Sequence, residues 1–361
     1  MRMLQNSDVE RVLDYAGAIA SLRASYEALA VGDSGFAPRI DLLGPVPPPM
    51  SAYRWGSMSG ICLRSGVVAV RIKSDVVRWD GAVEDKHCVR PGLYSGIVIV
   101  YAIQDGRPLA LLQDGIIQHV RLGAAVALGA SALLDGRVGV DVGVLGSGGM
   151  AWSCVAAAAA IVPIRSVRVF SPNAVRRSAF AERVTQEFGL EAVSVSSARD
   201  AVAGSGLVMS ATASTSATFE LDWAEPAAVL TFVSRREVPD DLHARVPDVY
   251  RLGEASLPLD TRFPGLDWFR GGYAGVAVGD RAFRARLPKR RDGEADRVEA
   301  DLPMLLAGRI GRRSNERSAL IAVGTQGLQF ASVAGYVVQR AEREGLGTML
   351  PDDWFLQDIR D

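Results

Sequence analysis

The spacing of apolar positions changes character along this chain, and each change predicts a different element. From Val9 to Leu29 apolar residues recur at helical intervals (Val9, Leu13, Ala16, Ile19, Leu22, Tyr26, Leu29), the signature of a helix with one buried face. Ser7 and Glu10 stand at capping-box spacing before it, and Gly32 follows as a stop, so the spacing predicts one helix running to about Ala30. Pro45, Pro47, Pro48 and Pro49 then predict an extended connection. From Ser51 to Gln118 the pattern shortens to strand-like runs, Val67 to Ile72, Gly96 to Ile103 and Leu109 to Gln113. Asp105-Gly106 and Asp114-Gly115 are hairpin signals, so this part reads as an antiparallel sheet.

A helix from about Leu122 to Leu134, with Arg121 at its start, leads into the stretch on which the rest depends. Val138 to Leu145 is a buried strand that breaks into Gly146, Ser147, Gly148, Gly149, Met150 and Ala151. An apolar, alanine-rich helix follows. Strand, G-x-G-x-x-A turn and helix N-terminus are the context of a dinucleotide fingerprint. In it Gly146 turns the chain, Gly148 lets backbone approach a pyrophosphate, and the helix start offers free amides and a positive dipole end. Beyond it, Ser166 to Phe170, Ala192 to Val195, Leu207 to Ala211 and Val229 to Val233 read as strands, with helices over Ala174 to Phe188 and Ser197 to Ala203. That alternation implies a parallel sheet covered on both faces. Leu257 to Asp296 reads as an irregular excursion, and Ser318 to Arg343 as a returning helix.

Composition narrows the class. The 361 residues suggest about two domains, and 48% hydrophobic residues can fill sizeable cores. A net charge of −1 gives no electrostatic case for nucleic acid or an anionic membrane. Cys62, Cys88 and Cys154 are far apart and only three histidines are present, so no metal spacing appears and a reducing, cytoplasmic setting is expected. The longest apolar runs, Ala124 to Leu134 and Ala151 to Ile164, are shorter than a membrane span.

Lys73 after a strand, Arg121-Leu122-Gly123-Ala124-Ala125, the glycine turn some 25 residues later and the run from Gly308 to Gly347 together resemble the ornithine cyclodeaminase/mu-crystallin family. The resemblance implies an α/β fold: a Rossmann-type doubly wound parallel sheet (121–317) inserted into an α+β substrate and dimerisation domain built from both chain ends (1–120 and 318–361). It also implies a homodimer and a small amino or keto acid substrate. Family cations hold the substrate carboxylate; the matching positions are Lys73 and Arg121, with Arg54 a third whose spacing departs from the family's. A carboxylate that loses water needs such partners. Beside them Lys73 should have a depressed pKa and could shuttle a proton to the substrate nitrogen. Thr212 and Ser214 resemble a Thr-x-Ser segment of the cofactor wall. His119, near Arg121, reads as structural.

Two features bear on specificity. The second fingerprint strand ends Phe170, Ser171, Pro172, Asn173 without an acid, and Arg176 and Arg177 follow. A 2′-phosphate would meet cations there, so NADP is expected over NAD. Where ornithine cyclodeaminases carry an aspartate, this chain has Ser234, Arg235, Arg236, Glu237. The expected activity is therefore a nicotinamide-dependent imine reductase or amino acid dehydrogenase; a cyclising deaminase and a cofactor-loaded binding protein are the alternatives.

Overall fold

The computed structural model describes residues 1–48, 51–80, 83–90, 92–253, 260–269, 273–290, 299–312 and 316–359. Two sheets organise them. In the parallel sheet the strands run, in spatial order, Glu191–Ser194, Ile164–Phe170, Val140–Leu145, Leu207–Ser210, Val229–Phe232, Ser318–Ile321, Asp248–Arg251 and Ala300–Asp301. Chain order reverses beside Val140–Leu145, so its carboxyl end is a topological switch point, the place where open α/β sheets bind ligands. That end carries the glycine turn, followed by the helix Gly149–Ala159.

The other sheet is mainly antiparallel and is organised by two long strands, Ser51–Cys62 and Val67–Asp80, paired along their length from Ser51↔Arg78 to Cys62↔Val67. Ser51–Cys62 also pairs with Ile40–Val46, while Val67–Asp80 pairs with Ser95–Ala102. Ser95–Ala102 continues into Pro108–Gln113 through the Asp105-Gly106 turn. The helix Gln326–Arg343 crosses this sheet so closely that a side chain on Gly327 would collide with the Ser59 backbone. Its buried face, including Leu328, Phe330, Val333, Ala334 and Val337, joins the main core.

Several expectations need correction. The N-terminal helix is two helices, Asn6–Val12 and Tyr15–Leu29. Gln5 and Asp8 form the first cap, not Ser7 and Glu10, and Asp14 restarts the helix by accepting a hydrogen bond from the Gly17 amide at 2.6 Å. The proline stretch begins as strand, since Ile40–Val46 includes Pro45. Asp114-Gly115 makes no hairpin, because Asp114 is the N-cap of a 20-residue helix, Gly115–Leu134. Arg121 consequently lies inside that helix rather than at its start. The helix is long and apolar enough to cross a membrane by length and composition, but most of it is buried within the protein. Its close approach to the fingerprint helix, with Gly123 against the Ser153 backbone, makes it the brace between the sheets.

The sheets also redraw the expected 121–317 boundary. Ser318–Ile321 is a strand in the parallel sheet and not the start of a helix, while the C-terminal helix begins at Gln326. The excursion from 257 to 296 is partly outside the described residues, but Leu266–Phe269 and Tyr273–Ala277 form a hairpin pairing with Ile40–Val46 in the antiparallel sheet. A strand pairing supplied by a distant segment leaves no local periodicity to read.

Candidate active site

Strand alternation builds the substrate side. Residues two apart share a face, so Arg54 and Met58 of one strand project with Arg71, Lys73 and Asp75 of the next, in the pairs Arg54↔Asp75, Gly56↔Lys73 and Met58↔Arg71. Asp41 pairs with Gly56 from the other side. Gly56 is what lets Asp41 and Lys73 meet across an intervening strand: a Cβ there would overlap the Asp41 carboxylate and come within 3.1 Å of the Lys73 Cε. Lys73 Nζ lies 3.3 Å from Asp75 Oδ2 and 3.8 Å from Asp41 Oδ2. Burial, and then the charges of Arg39 and Arg54, pull Lys73 well below its ordinary pKa against the opposing pull of Asp41 and Asp75.

A cleft of about 710 Å³ opens over this face and reaches Met150, beside the glycine turn, with Lys73, Arg121, His119, Thr212 and Ser234 also among the residues lining it. Arg121 enters from the bracing helix. Its guanidinium donates to Gln329 Oε1 at 2.5 Å and Gln118 Oε1 at 2.8 Å and stacks over Phe330 at 4.9 Å, while its buried Nε has no partner. Burial, and then neighbouring Arg71, lower it to about 9, so it stays charged at neutral pH. Those two hydrogen-bond partners are neutral amides, so among the described residues its charge faces the cleft without a bonded carboxylate. Arg71, by contrast, is held by Asp114 at 2.7 and 2.6 Å.

Arg54, the least secure of the three expected cations, does line the cleft. It lies among Glu84 at 3.5 Å, Asp75 at 3.8 Å and Asp41 at 3.9 Å, and donates to the Tyr273 hydroxyl at 3.3 Å. Burial would lower its pKa, but Tyr273, Glu84 and Asp41 outweigh that and raise it. Arg39 and Tyr273, which also line the cleft, were not expected from the sequence. Arg39 grips Asp41 in a bidentate pair at 2.6 and 2.5 Å and stacks on Tyr273, which arrives from the excursion hairpin. Pro38-Arg39 before a strand was a visible signal for the first; nothing local pointed to the second.

The cofactor side follows from the turn. Gly146 adopts φ +115°, a conformation open to glycine, and its neighbour Ala211 leaves no room for a side chain. Gly148 caps the Gly149–Ala159 helix, and a Cβ placed on it meets nothing within 4 Å. This open cradle beside free helix amides fits a pyrophosphate. Ser147 and Ser171 join their hydroxyls at 2.8 Å, linking the turn to the end of the second strand. Asn173 Oδ1 accepts from the Arg176 amide at 2.9 Å, and Arg177 donates to the Ser171 carbonyl at 3.0 Å. Met150 lines the cleft beside the turn. Thr212 also lines it, but its amide and hydroxyl both donate to buried Glu237, at 2.5 and 2.6 Å. Ser214 hydrogen-bonds back to Thr212 and to Ser216, so its hydroxyl serves the loop. His119 approaches the turn, 3.2 Å from a Cβ on Gly149, and burial lowers its pKa. Among the described residues no group of three or more His, Cys, Asp or Glu is placed to hold a metal.

The segment replacing the family aspartate is now explicit. Glu237 points into the parallel sheet, where it also accepts from Ser210 at 3.1 Å and the Ser234 amide at 3.1 Å. Arg235 and Arg236 take the cleft side instead. Arg235 is held by Glu299 at 2.5 and 2.6 Å, and Arg236 reaches Glu84 at 3.2 Å.

A Rossmann-type sheet facing a cationic antiparallel sheet defines a dinucleotide-binding architecture, and comparison with known proteins places it. Residues 84–243, somewhat under half of the chain, match the model of the ornithine cyclodeaminase/mu-crystallin family. A Delta(1)-pyrroline-2-carboxylate reductase from Bacillus thuringiensis subsp. konkukian is 21% identical over 258 residues, 71% of this chain and 74% of the relative. The Thermococcus litoralis Delta(1)-pyrroline-2-carboxylate reductase, solved with NADH and L-proline, superposes with TM-score 0.73 at 19% identity, covering 97% of this chain and 100% of the other. The iminosuccinate reductase of Paracoccus denitrificans, solved with NAD+, gives TM-score 0.73 at 17% identity over 96% and 98% of the two chains.

Proposed function

We propose that this protein is a nicotinamide-dependent oxidoreductase that reduces an imine formed from a 2-oxo acid and an amine, or oxidises the corresponding amino acid. The observation that carries the reading is one cleft with two chemistries: Met150, beside an open glycine turn on a helix start, together with a buried Lys73 of depressed proton affinity and an Arg121 that, among the described residues, has no bonded carboxylate. The reductases of cyclic and acyclic imino acids among its relatives support it.

Gly146, Ser147, Gly148, Gly149 and Met150 hold the cofactor's pyrophosphate side, with Ser171, Asn173 and Arg176 beyond the second strand and Thr212 and Ser214 along the wall. The bound nicotinamide supplies or accepts hydride. Arg121 and Arg54 orient the substrate carboxylate, desolvated in a cleft where fixed cations replace its water. Lys73 is the proton carrier. Burial and the neighbouring guanidiniums lower its proton affinity, and an incoming carboxylate raises it. The ammonium held with substrate in place can release its proton to the imine nitrogen.

NADP(H) is the expected cofactor, because Ser171, Asn173 and Arg176 stand where an acid would select NAD(H). The protein is read as a cytoplasmic homodimer; exposed Ile40, Leu42, Tyr53 and Ile61 on the outward face of the antiparallel sheet support the pairing. The test is a screen of 2-oxo acids with amines, following reduced-cofactor absorbance. Proline and ammonia formed efficiently from ornithine with only catalytic cofactor would contradict the reading.

A further inference from the structure

The cleft carries more positive charge than one carboxylate requires, and the surplus lies in two separate places. Asp41 is occupied by Arg39, Asp114 by Arg71 and Glu299 by Arg235, each in a close pair. Among the described residues Arg121 bonds only neutral amides, and its charge is the one the α-carboxylate takes. The second place is Glu84, whose carboxylate faces Lys86 at 3.1 Å, Arg236 at 3.2 Å and Arg54 at 3.5 Å. Even with Arg54 assigned to Asp75 at 3.8 Å, among the described residues one carboxylate stands against two cations there. Burial works to raise the Glu84 pKa, yet Lys86, Arg54 and Arg236 hold it well below the carboxylate range. The corner also joins both halves of the protein, since Lys86 and Glu84 belong to the antiparallel sheet's Val83–His87 strand and Arg236 follows the parallel strand Val229–Phe232.

We propose that this corner binds a second acidic group, making the substrate a dicarboxylic imino or amino acid with Arg236 and Lys86 as the specificity-determining cations. The proposal rests on the oxidoreductase reading for its chemistry. A dicarboxylic 2-oxo acid and ammonia lose water to form the imine; the imine carbon takes a hydride, two electrons, from the reduced nicotinamide, and the nitrogen takes a proton. The products are the dicarboxylic amino acid and oxidised cofactor. A second anion offsets the surplus charge, whereas a cationic side chain is repelled by Arg236 and Lys86.

Two measurements on the cofactor-loaded full chain test this separately from the oxidoreductase reading. Calorimetry compares aspartate and glutamate with 2-aminobutyrate and norvaline, which match their chain lengths but lack the second carboxylate. Kinetics compares the corresponding 2-oxo acids with ammonium. At least one dicarboxylate should bind tenfold or more tightly than its match, and Arg236→Gln should reduce that preference to less than threefold. Tenfold tighter dicarboxylate binding without cofactor oxidation supports the second anion site and refutes the oxidoreductase reading. Turnover with equal or better binding of the monocarboxylates, or a preference unchanged in both Arg236→Gln and Lys86→Met, overturns the second anion site and leaves the oxidoreductase reading standing.

Discussion

Replacing Arg121 by alanine isolates the proposed carboxylate anchor. In the free protein its guanidinium holds Gln329 at 2.5 Å and Gln118 at 2.8 Å, so truncation leaves two amide oxygens without this donor. Because the residue lines the cleft, water can reach those oxygens, which keeps the structural cost below the about 1–3 kcal/mol of a fully buried orphan. The substrate has no such relief. Removing one partner of a desolvated charge pair costs about 3–5 kcal/mol. At about 1.4 kcal/mol per factor of ten, kcat/KM should fall by roughly two to three and a half orders of magnitude. The glycine turn lies across the cleft, so cofactor affinity should change less than about threefold, or roughly 0.7 kcal/mol. The assay pairs steady-state kinetics with a fluorescence titration of reduced cofactor. Unchanged kcat/KM, or cofactor affinity falling as steeply as turnover, would refute the assignment.

Gly148→Ala should fold normally, because the added Cβ meets nothing within 4 Å and φ is −94°; a stability loss below about 1 kcal/mol is expected. Cofactor affinity should nevertheless drop at least tenfold as the methyl meets the pyrophosphate, and wild-type affinity would contradict the cradle. Lys73→Met should lose turnover but gain stability at neutral pH. The folded pKa of Lys73 is lowered by burial, so the unfolded chain binds more protons and wild-type stability rises with pH between the folded value and about 10.4. Each unit of depression costs about 1.4 kcal/mol. The gap between variant and wild type in denaturant melts should narrow as pH approaches 10, and a gap that widens would show the sign to be wrong. NADPH should bind more tightly than NADH, and Arg176→Ala together with Arg177→Ala should reduce the difference; equal or tighter NADH binding would contradict the expected preference.

The parts of this protein legible in its sequence are those whose signals are local. The glycine turn between Val140–Leu145 and Gly149–Ala159 could be read because positive φ at Gly146 and helix capping at Gly148 are decided within a few residues. The Ala174–Phe188 helix was legible to its ends, and the structure adds Asn173, expected only as a cofactor contact, as its cap. Lys73 and Arg121 were found through resemblance, and the structure brings both to one cleft. What could not be read depends on distant chain. Arg39 gains its place by pairing Asp41 beneath the Gly56 gap, and Tyr273 by a hairpin joined to Ile40–Val46. Glu237 could not be assigned a direction from sequence because its bonds run to Ser210, at the end of a neighbouring strand, and to Thr212 just beyond it.

Transfer of label tests the central claim most directly. Reduced cofactor carrying deuterium at the nicotinamide C4 hydride position is incubated with the best 2-oxo acid and amine from the screen, and the amino acid product is examined by mass spectrometry and NMR. One deuterium on the α-carbon, with one cofactor oxidised per amino acid formed, is the predicted result. Product without deuterium at that carbon, or product formed without net cofactor oxidation, would contradict hydride transfer between nicotinamide and substrate in this cleft.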